Sequence, residues 1–142
     1  MTLAEALQAL YEADRIPSPW WPGMLLEVPE THSDAATQAR VLHVGHEPLS
    51  IVVSIPDRPQ LWFEMSGNRK CWSWWAPEIG QPRWSPRGWP SGAWPDVWEP
   101  VFDDAATIGC LAHLAIGTRS DPSAGLALTD GAAWAAAIIA AV

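Results

Sequence analysis

The sequence predicts a single α+β domain with an antiparallel β-meander of about four to five strands. An N-terminal helix and two C-terminal helices are expected to pack on one side of this sheet, with a long Trp/Pro-rich loop at residues 76–102. Three observations predict this class. A capped amphipathic segment opens the 142-residue chain, short β-type runs joined by tight turns fill its middle, and two helical segments close it. The length suits one domain, and short connections favour antiparallel neighbours.

The N-terminal helix is predicted from its start signal and its apolar spacing. Thr2 and Glu5 form the capping-box pattern T-x-x-E, in which the threonine side chain accepts a hydrogen bond from the backbone three residues later. Leu3, Leu7 and Leu10 then recur at helical spacing and form one apolar face. The prolines that follow prevent the helix from continuing.

Five short runs in the middle of the chain are typical of β-strands, since they are apolar or rich in β-branched and aromatic residues. In the run at 60–65, strict alternation places Trp62 and Glu64 on the face opposite Leu61 and Phe63. If Trp62 lies across from a tryptophan of the next strand, the sheet carries an aromatic cluster. The five runs are residues 24–28, 40–44, 49–55, 60–65 and 70–75.

Two helices are predicted in the C-terminal part. The first spans 103–117, with Asp103 or Asp104 as its cap and Gly117 as its stop. A short strand at 124–128 and a second helix at 129–142, capped by Thr129, follow. The apolar stripes are expected at Ile108, Leu111 and Ala115 in the first helix and at Trp134, Ile138 and Ala141 in the second.

Composition excludes several classes of function. A net charge of −8 and a pI near 4.7 argue against direct binding to duplex nucleic acid or to an anionic membrane. The longest apolar run is too short to span a bilayer, and the acidic N-terminal segment does not have the pattern of a signal peptide. Cys71 and Cys110 have no metal-type or redox spacing. We therefore expect a cytoplasmic protein with reduced cysteines, no cofactor and no membrane partner.

The C-terminal helical motif resembles one group of proteins. The stretch DDAATIGCL matches the pattern D-x-A-T-x-G-C-L, and it precedes a final alanine-rich helix that opens with Thr and an acidic residue. This arrangement resembles one that is common in small uncharacterised phage and prophage proteins. The N-terminal stretch from Met1 to the WWPGM sequence also resembles the start of such proteins. The resemblance implies a phage-related origin and carries no catalytic residue across. Its matching positions are Asp104, Ala106, Thr107, Gly109, Cys110 and Leu111.

Two pairs of side chains are candidates for chemistry. Cys110 and His113 are three residues apart on a predicted helix, so a thiolate–imidazolium nucleophile is conceivable. The alternative is a buried cysteine that simply packs in the core. His43 and His46 could hold a metal together with further ligands such as His32 and Asp34. The alternative is two partly exposed histidines beside a turn at Gly45.

The eleven tryptophans supply the main functional hypothesis. Aromatic rings beside arginines suit either stacking on a small ligand or contact with a protein partner, although tryptophan also fills cores. Trp94 and Trp98, which directly precede the capped helix, are predicted to be scaffold. The predicted ligand- or partner-binding residues are Arg69, Trp72, Trp74, Arg83, Trp84, Arg87 and Trp89.

These observations favour a non-enzymatic binding protein of phage or prophage origin. In its most concrete form it is a counter-defence or accessory factor that engages a host protein, or a phage protein, through a Trp/Arg surface. One alternative is a protein that sequesters a small ligand such as a nucleotide. Another is a cysteine-dependent enzyme. Because an exposed apolar surface promotes self-association, a homodimer is a further expectation.

Overall fold

The computed structural model describes residues 1–16, 20–29, 37–46, 48–55, 58–65, 72–75, 94–117 and 131–142. Its helices are α1 (Leu3–Glu12), α2 (Ala105–Gly117) and α3 (Gly131–Ala141). Its strands are β1 (Leu25–Val28), β2 (Thr37–His46), β3 (Leu49–Ile55), β4 (Arg58–Met65), β5 (Trp72–Trp75) and β6 (Glu99–Pro100). The chain divides into two compact units, one formed by Met1–Pro19 with Phe102–Val142 and the other by Trp20–Val101.

The first unit is helical, and its N-terminal helix starts as predicted. The Oγ1 atom of Thr2 accepts a hydrogen bond from the backbone N–H of Glu5 at 3.1 Å. Helix α1 buries Ala6, Leu7 and Leu10 and contacts both α2 and α3, which also contact each other. Burying one apolar stripe of each helix against the others is what stabilises helices of this length.

Asp104, which directly precedes helix α2, is its N-cap, so of the two predicted candidates Asp104 and not Asp103 caps the helix. One carboxylate oxygen of Asp104 accepts from the backbone N–H of Thr107 at 3.0 Å and from its hydroxyl at 2.8 Å. The buried face of α2 includes Leu111 and Ala115 as predicted, together with Ala112. Helix α3 buries Ile138. The predicted cap Thr129 and the predicted strand at 124–128 lie outside the described residues.

The second unit contains one antiparallel sheet of six strands in the order β5-β4-β3-β2-β1-β6. The α+β class and the antiparallel meander are therefore confirmed. Strand β2 is longer than the predicted run 40–44, because its first half pairs with β1 and its second half with β3. The short strand β6 falls inside the predicted loop 76–102 and pairs with β1.

Each face of the meander carries aromatic rings. On one face Phe63 is fully buried, and its ring meets Trp98 at a centroid distance of 5.1 Å and Trp94 at 6.1 Å, both edge-to-face. Trp98 is only 3% exposed, so the prediction that Trp94 and Trp98 serve as scaffold is confirmed. On the opposite face, Trp62 lies directly across from Trp75. The predicted aromatic cluster is therefore present.

Within the residues that the structure describes, no helix combines the length and the hydrophobicity that crossing a membrane requires.

Candidate functional site

A pocket of about 250 Å³ lies on the β-meander. It is formed where the β2–β3 hairpin meets the central part of β4 and the end of β5. Phe63 contributes to the lining from β4, although its ring packs against Trp98 on the other face. The lining residues are Gly45, His46, Pro48, Ser50, Trp62, Phe63, Glu64 and Trp75.

One row across three strands forms the polar side of the pocket. Gly45 of β2 lies opposite Ser50 of β3, which in turn lies opposite Glu64 of β4. Residues directly opposite each other share a face of the sheet. Gly45 has no side chain to fill its place in this row, and a Cβ atom there would lie 2.5 Å from the Oγ atom of Ser50. The hydroxyl of Ser50 therefore occupies the space that a side chain at Gly45 would need.

A β-bulge brings Gly45 into that row. The β2–β3 register pairs Val41 with Val53 but His43 with Val52, so Leu42 is the extra residue of the bulge. If the pairing of Val41 with Val53 continued without the extra residue, Gly45 of β2 would lie opposite Leu49 of β3 instead of opposite Ser50. A shift by one residue moves a side chain to the other face of a sheet. The bulge thus determines which β2 residues line the pocket.

The aromatic wall of the pocket is a stacked pair of indoles. The ring centroids of Trp62 and Trp75 are 4.8 Å apart with an interplanar angle of 22°. Both side chains are half-buried. The Nε1 atom of Trp62 is buried and has no hydrogen-bond acceptor in the part of the chain that the structure describes. Within that part, packing against Trp75 and the buried Val52 opposite Trp62 holds the ring in place.

The electrostatic character of the pocket is acidic. Glu64 is half-buried and supplies a carboxylate, while Ser50 supplies a hydroxyl and the exposed His46 an imidazole. None of the described residues that line the pocket is an arginine or a lysine. On β5, Ser73 lies opposite Glu64, and its hydroxyl donates to the backbone carbonyl of Glu64 at 3.4 Å, which ties β5 to β4. The arrangement can hold a ligand with one apolar or cationic surface and one polar edge.

The predicted Trp/Arg surface is only partly described. Trp72 and Trp74 are 4% and 2% exposed and lie on the same face as Phe63, so both rings belong to the core of the sheet. Rings this deeply buried offer no free face to a partner. The other predicted binding residues, Arg69, Arg83, Trp84, Arg87 and Trp89, lie outside the described residues.

The two histidine candidates for metal binding are exposed on β2. His46 lines the pocket, whereas His43 lies opposite Val52 in the neighbouring row. Across the described ranges, no three His, Cys, Asp or Glu side chains come together in a way that could hold a metal ion. The further candidate ligands His32 and Asp34 lie outside those ranges.

The thiol of Cys110 has the opposite electrostatic environment from that of a nucleophile. Burial raises the pKa of this thiol, and the nearby carboxylate of Asp104 raises it further. A cysteine nucleophile needs a lowered pKa, because the thiolate is the reactive form. His113 is exposed on the same helix. The geometry therefore favours the packing interpretation of Cys110 over the catalytic one.

Sequence reasoning did not assign Gly45, Ser50 or Glu64 to a site. The alternation in 60–65 correctly placed Trp62 and Glu64 on one face, and this was the available signal. The partners of that face on β2 and β3 depend on the strand register, which no local pattern specifies.

Comparisons with protein-family models, with curated proteins and with solved structures found no match to this chain.

Proposed function

We propose that the protein acts by binding a small ligand, without turnover, in the pocket beside Trp62 and Trp75. The observation that carries this proposal is a pocket on one face of the sheet that has the stacked Trp62 and Trp75 indoles on one side and Ser50 and Glu64 on another. Small-molecule sites are concave, largely apolar and carry a few convergent polar groups. Here Ser50, Glu64 and His46 would supply those groups.

The size of the pocket limits the ligand. Its volume of about 250 Å³ lies just under the range of roughly 300–1,000 Å³ in which drug-sized molecules bind. A single ring or a compact branched molecule fits that volume. A nucleotide is the less favoured alternative, because its phosphate would approach the carboxylate of Glu64 with no arginine or lysine among the described lining residues.

Binding is favoured over a cysteine-dependent reaction. The raised pKa of Cys110 keeps its thiol protonated near neutral pH, so the reactive thiolate is scarce.

A second candidate is a protein-binding role for the segment that holds Arg83, Trp84, Arg87 and Trp89. The composition of this segment supports it, because tryptophan and arginine are enriched among residues that dominate protein interfaces. In that proposal the partner is a host or phage protein, in keeping with the phage or prophage origin that the resemblance of the α2 motif implies. A cytoplasmic location fits both candidates.

Ligand titrations followed by tryptophan fluorescence and thermal stability test the pocket. The panel comprises choline, glucose and adenosine monophosphate, and the variants are Trp75→Leu in the pocket wall and Trp21→Leu as the matched control. Trp21 is 42% exposed and does not line the pocket. We expect saturable binding of at least one compound, with a matching rise in Tm, that is lost in Trp75→Leu and kept in Trp21→Leu. Absence of binding across the panel, or unchanged binding by Trp75→Leu, contradicts the proposal.

A further inference from the structure

We infer that the pocket selects a small organic cation of the alkylammonium class, held between the Trp62–Trp75 pair and the carboxylate of Glu64. This inference rests on the proposed function, since it names the ligand class of the same pocket. Three features of the site support the inference: the negative charge of Glu64, the indole rings of Trp62 and Trp75, and the short distance along β4 between Trp62 and Glu64.

The sign of the charge favours a cation over an anion or a neutral ligand. Glu64 is the carboxylate of the pocket, and the described lining residues include no arginine or lysine to neutralise it. The chain as a whole carries a net charge of −8, so its long-range field also attracts cations. A half-buried carboxylate interacts with a bound cation more strongly than an exposed one, because water screens the pair less.

The wall favours a cation with apolar substituents. The face of an indole ring attracts cations more strongly than that of phenol or benzene, and alkylammonium groups are a well-suited guest because they are weakly hydrated. One face of Trp62 and one face of Trp75 cover each other, as the 4.8 Å stacking distance requires. Both indoles are only half-buried and line the pocket, so the pair forms one side of the site rather than a closed cage around the ligand.

The spacing along β4 places the indole of Trp62 and the carboxylate of Glu64 within reach of one ligand. Trp62 and Glu64 are two residues apart on β4 and share a face of the sheet. Two residues along a strand span roughly 7 Å. Since both side chains point to the same face and a ring attracts a cation over about 6 Å, one compact cation can be reached by both groups. The hydroxyl of Ser50, opposite Glu64, is placed to bind a polar substituent on the ligand.

Isothermal titration calorimetry with two probes of the same shape tests the inference. Choline carries the quaternary nitrogen, and 3,3-dimethyl-1-butanol has carbon in its place and is neutral. We expect choline to bind about tenfold more tightly than the neutral probe at low ionic strength, and high salt to reduce this advantage. Glucose serves as the polar ring without charge.

The variants Glu64→Gln and Glu27→Gln separate a local charge from the total charge. Both change the net charge by the same amount, but Glu27 is an exposed residue of β1 that does not line the pocket. We expect Glu64→Gln to weaken choline binding about five- to tenfold and to leave the neutral probe unaffected. Glu27→Gln should change neither. Circular dichroism and thermal unfolding verify that both variants fold.

Each result of these titrations either supports or overturns the inference. Tighter binding of choline that depends on Glu64 supports the inference. Equal binding of the two matched probes, unchanged choline binding in Glu64→Gln, or tighter binding of glucose than of choline overturns the inference and leaves the pocket as a ligand site. If no probe binds to the intact protein, both the inference and the proposed function of the pocket are overturned.

Discussion

Gly45 and Ser50 lie so close together that a side chain at position 45 would meet the Ser50 hydroxyl, and a double-mutant cycle can measure the energy of that contact. In Gly45→Ala, the new methyl group would lie 2.5 Å from the Oγ atom of Ser50. Its next nearest neighbours, the carbonyl oxygen of Pro48 and the Cβ atom of Ser50, are both at 3.8 Å, an ordinary van der Waals distance. The conflict is therefore with one hydroxyl, and Ser50→Ala removes that hydroxyl.

The expected energies follow from these distances. Overpacking of this kind costs about 1–3 kcal/mol, whereas alanine in a strand is better than glycine by roughly 0.5–1 kcal/mol. Because the Ser50 hydroxyl can turn to another rotamer, the cost lies at the low end of that range, about 1 kcal/mol, and we expect Gly45→Ala alone to lower the free energy of unfolding by at most about 0.5 kcal/mol. In the Ser50→Ala background the clash is absent, so the same change should raise stability by about 0.5–1 kcal/mol. The coupling energy between the two positions is then about 1 kcal/mol.

Urea unfolding of the four proteins of the cycle, followed by tryptophan fluorescence, measures the coupling. Gly109→Ala is the matched control, because a Cβ atom at this exposed position of α2 meets no atom within 4 Å. This control should stabilise the protein by up to about 1 kcal/mol. A coupling energy below about 0.5 kcal/mol would refute the view that Gly45 and Ser50 face each other across the floor of the pocket.

Three further predictions concern the scaffold and the thiol. Asp104→Ala removes the acceptor for the two hydrogen bonds from Thr107 and should cost about 1–2 kcal/mol in urea unfolding, whereas Asp104→Asn should retain most of the stability. Phe63→Ala empties a fully buried site and should lower the free energy of unfolding by about 3–5 kcal/mol; a loss under 1 kcal/mol would show that its ring does not fill the core. In a Cys71→Ser background, iodoacetamide should label Cys110 more slowly than a cysteine peptide at pH 8, because the raised pKa leaves less thiolate. Since the folded thiol then ionises at higher pH than the unfolded one, stability should fall through the alkaline range more steeply than in Cys110→Ala, and equal slopes would contradict the raised pKa.

Elements with strong local signals could be predicted from the sequence. The capping pattern of Thr2 and Glu5 located the start of α1, and the β-branched run 49–55 corresponds to β3. Strand β6 could not be predicted in the same way. It has two residues, one of them Pro100, and it exists because it pairs with β1, which is far away in the sequence. Such a pairing leaves no periodic pattern in the segment itself.

The candidate site illustrates the same limit at the level of side chains. The alternation of β4 was sufficient to place Trp62 and Glu64 together. It could not show that Gly45 and Ser50 face them, because this depends on the bulge at Leu42. Leu42 is 44% exposed, so it breaks the rule that apolar residues of a strand point to the core. This exception identifies the bulge only once the pairing of β2 with β3 is known, so the register could not be predicted from the sequence.

The two faces of the meander explain why so many tryptophans serve different purposes. On the face of Phe63, the edge-to-face contacts of Trp94 and Trp98 turn a proline-rich segment into a cover for the core. No regular helix or central strand is needed there, because the rings supply the buried apolar area. On the opposite face, Trp62 and Trp75 stack on each other and both remain half-buried. Their row of the sheet continues through the buried Val52 to His43, and the next row carries Ser50 and Glu64. The degree of burial therefore separates the tryptophans that hold the sheet together from the stacked pair, to which the proposed ligand site is assigned.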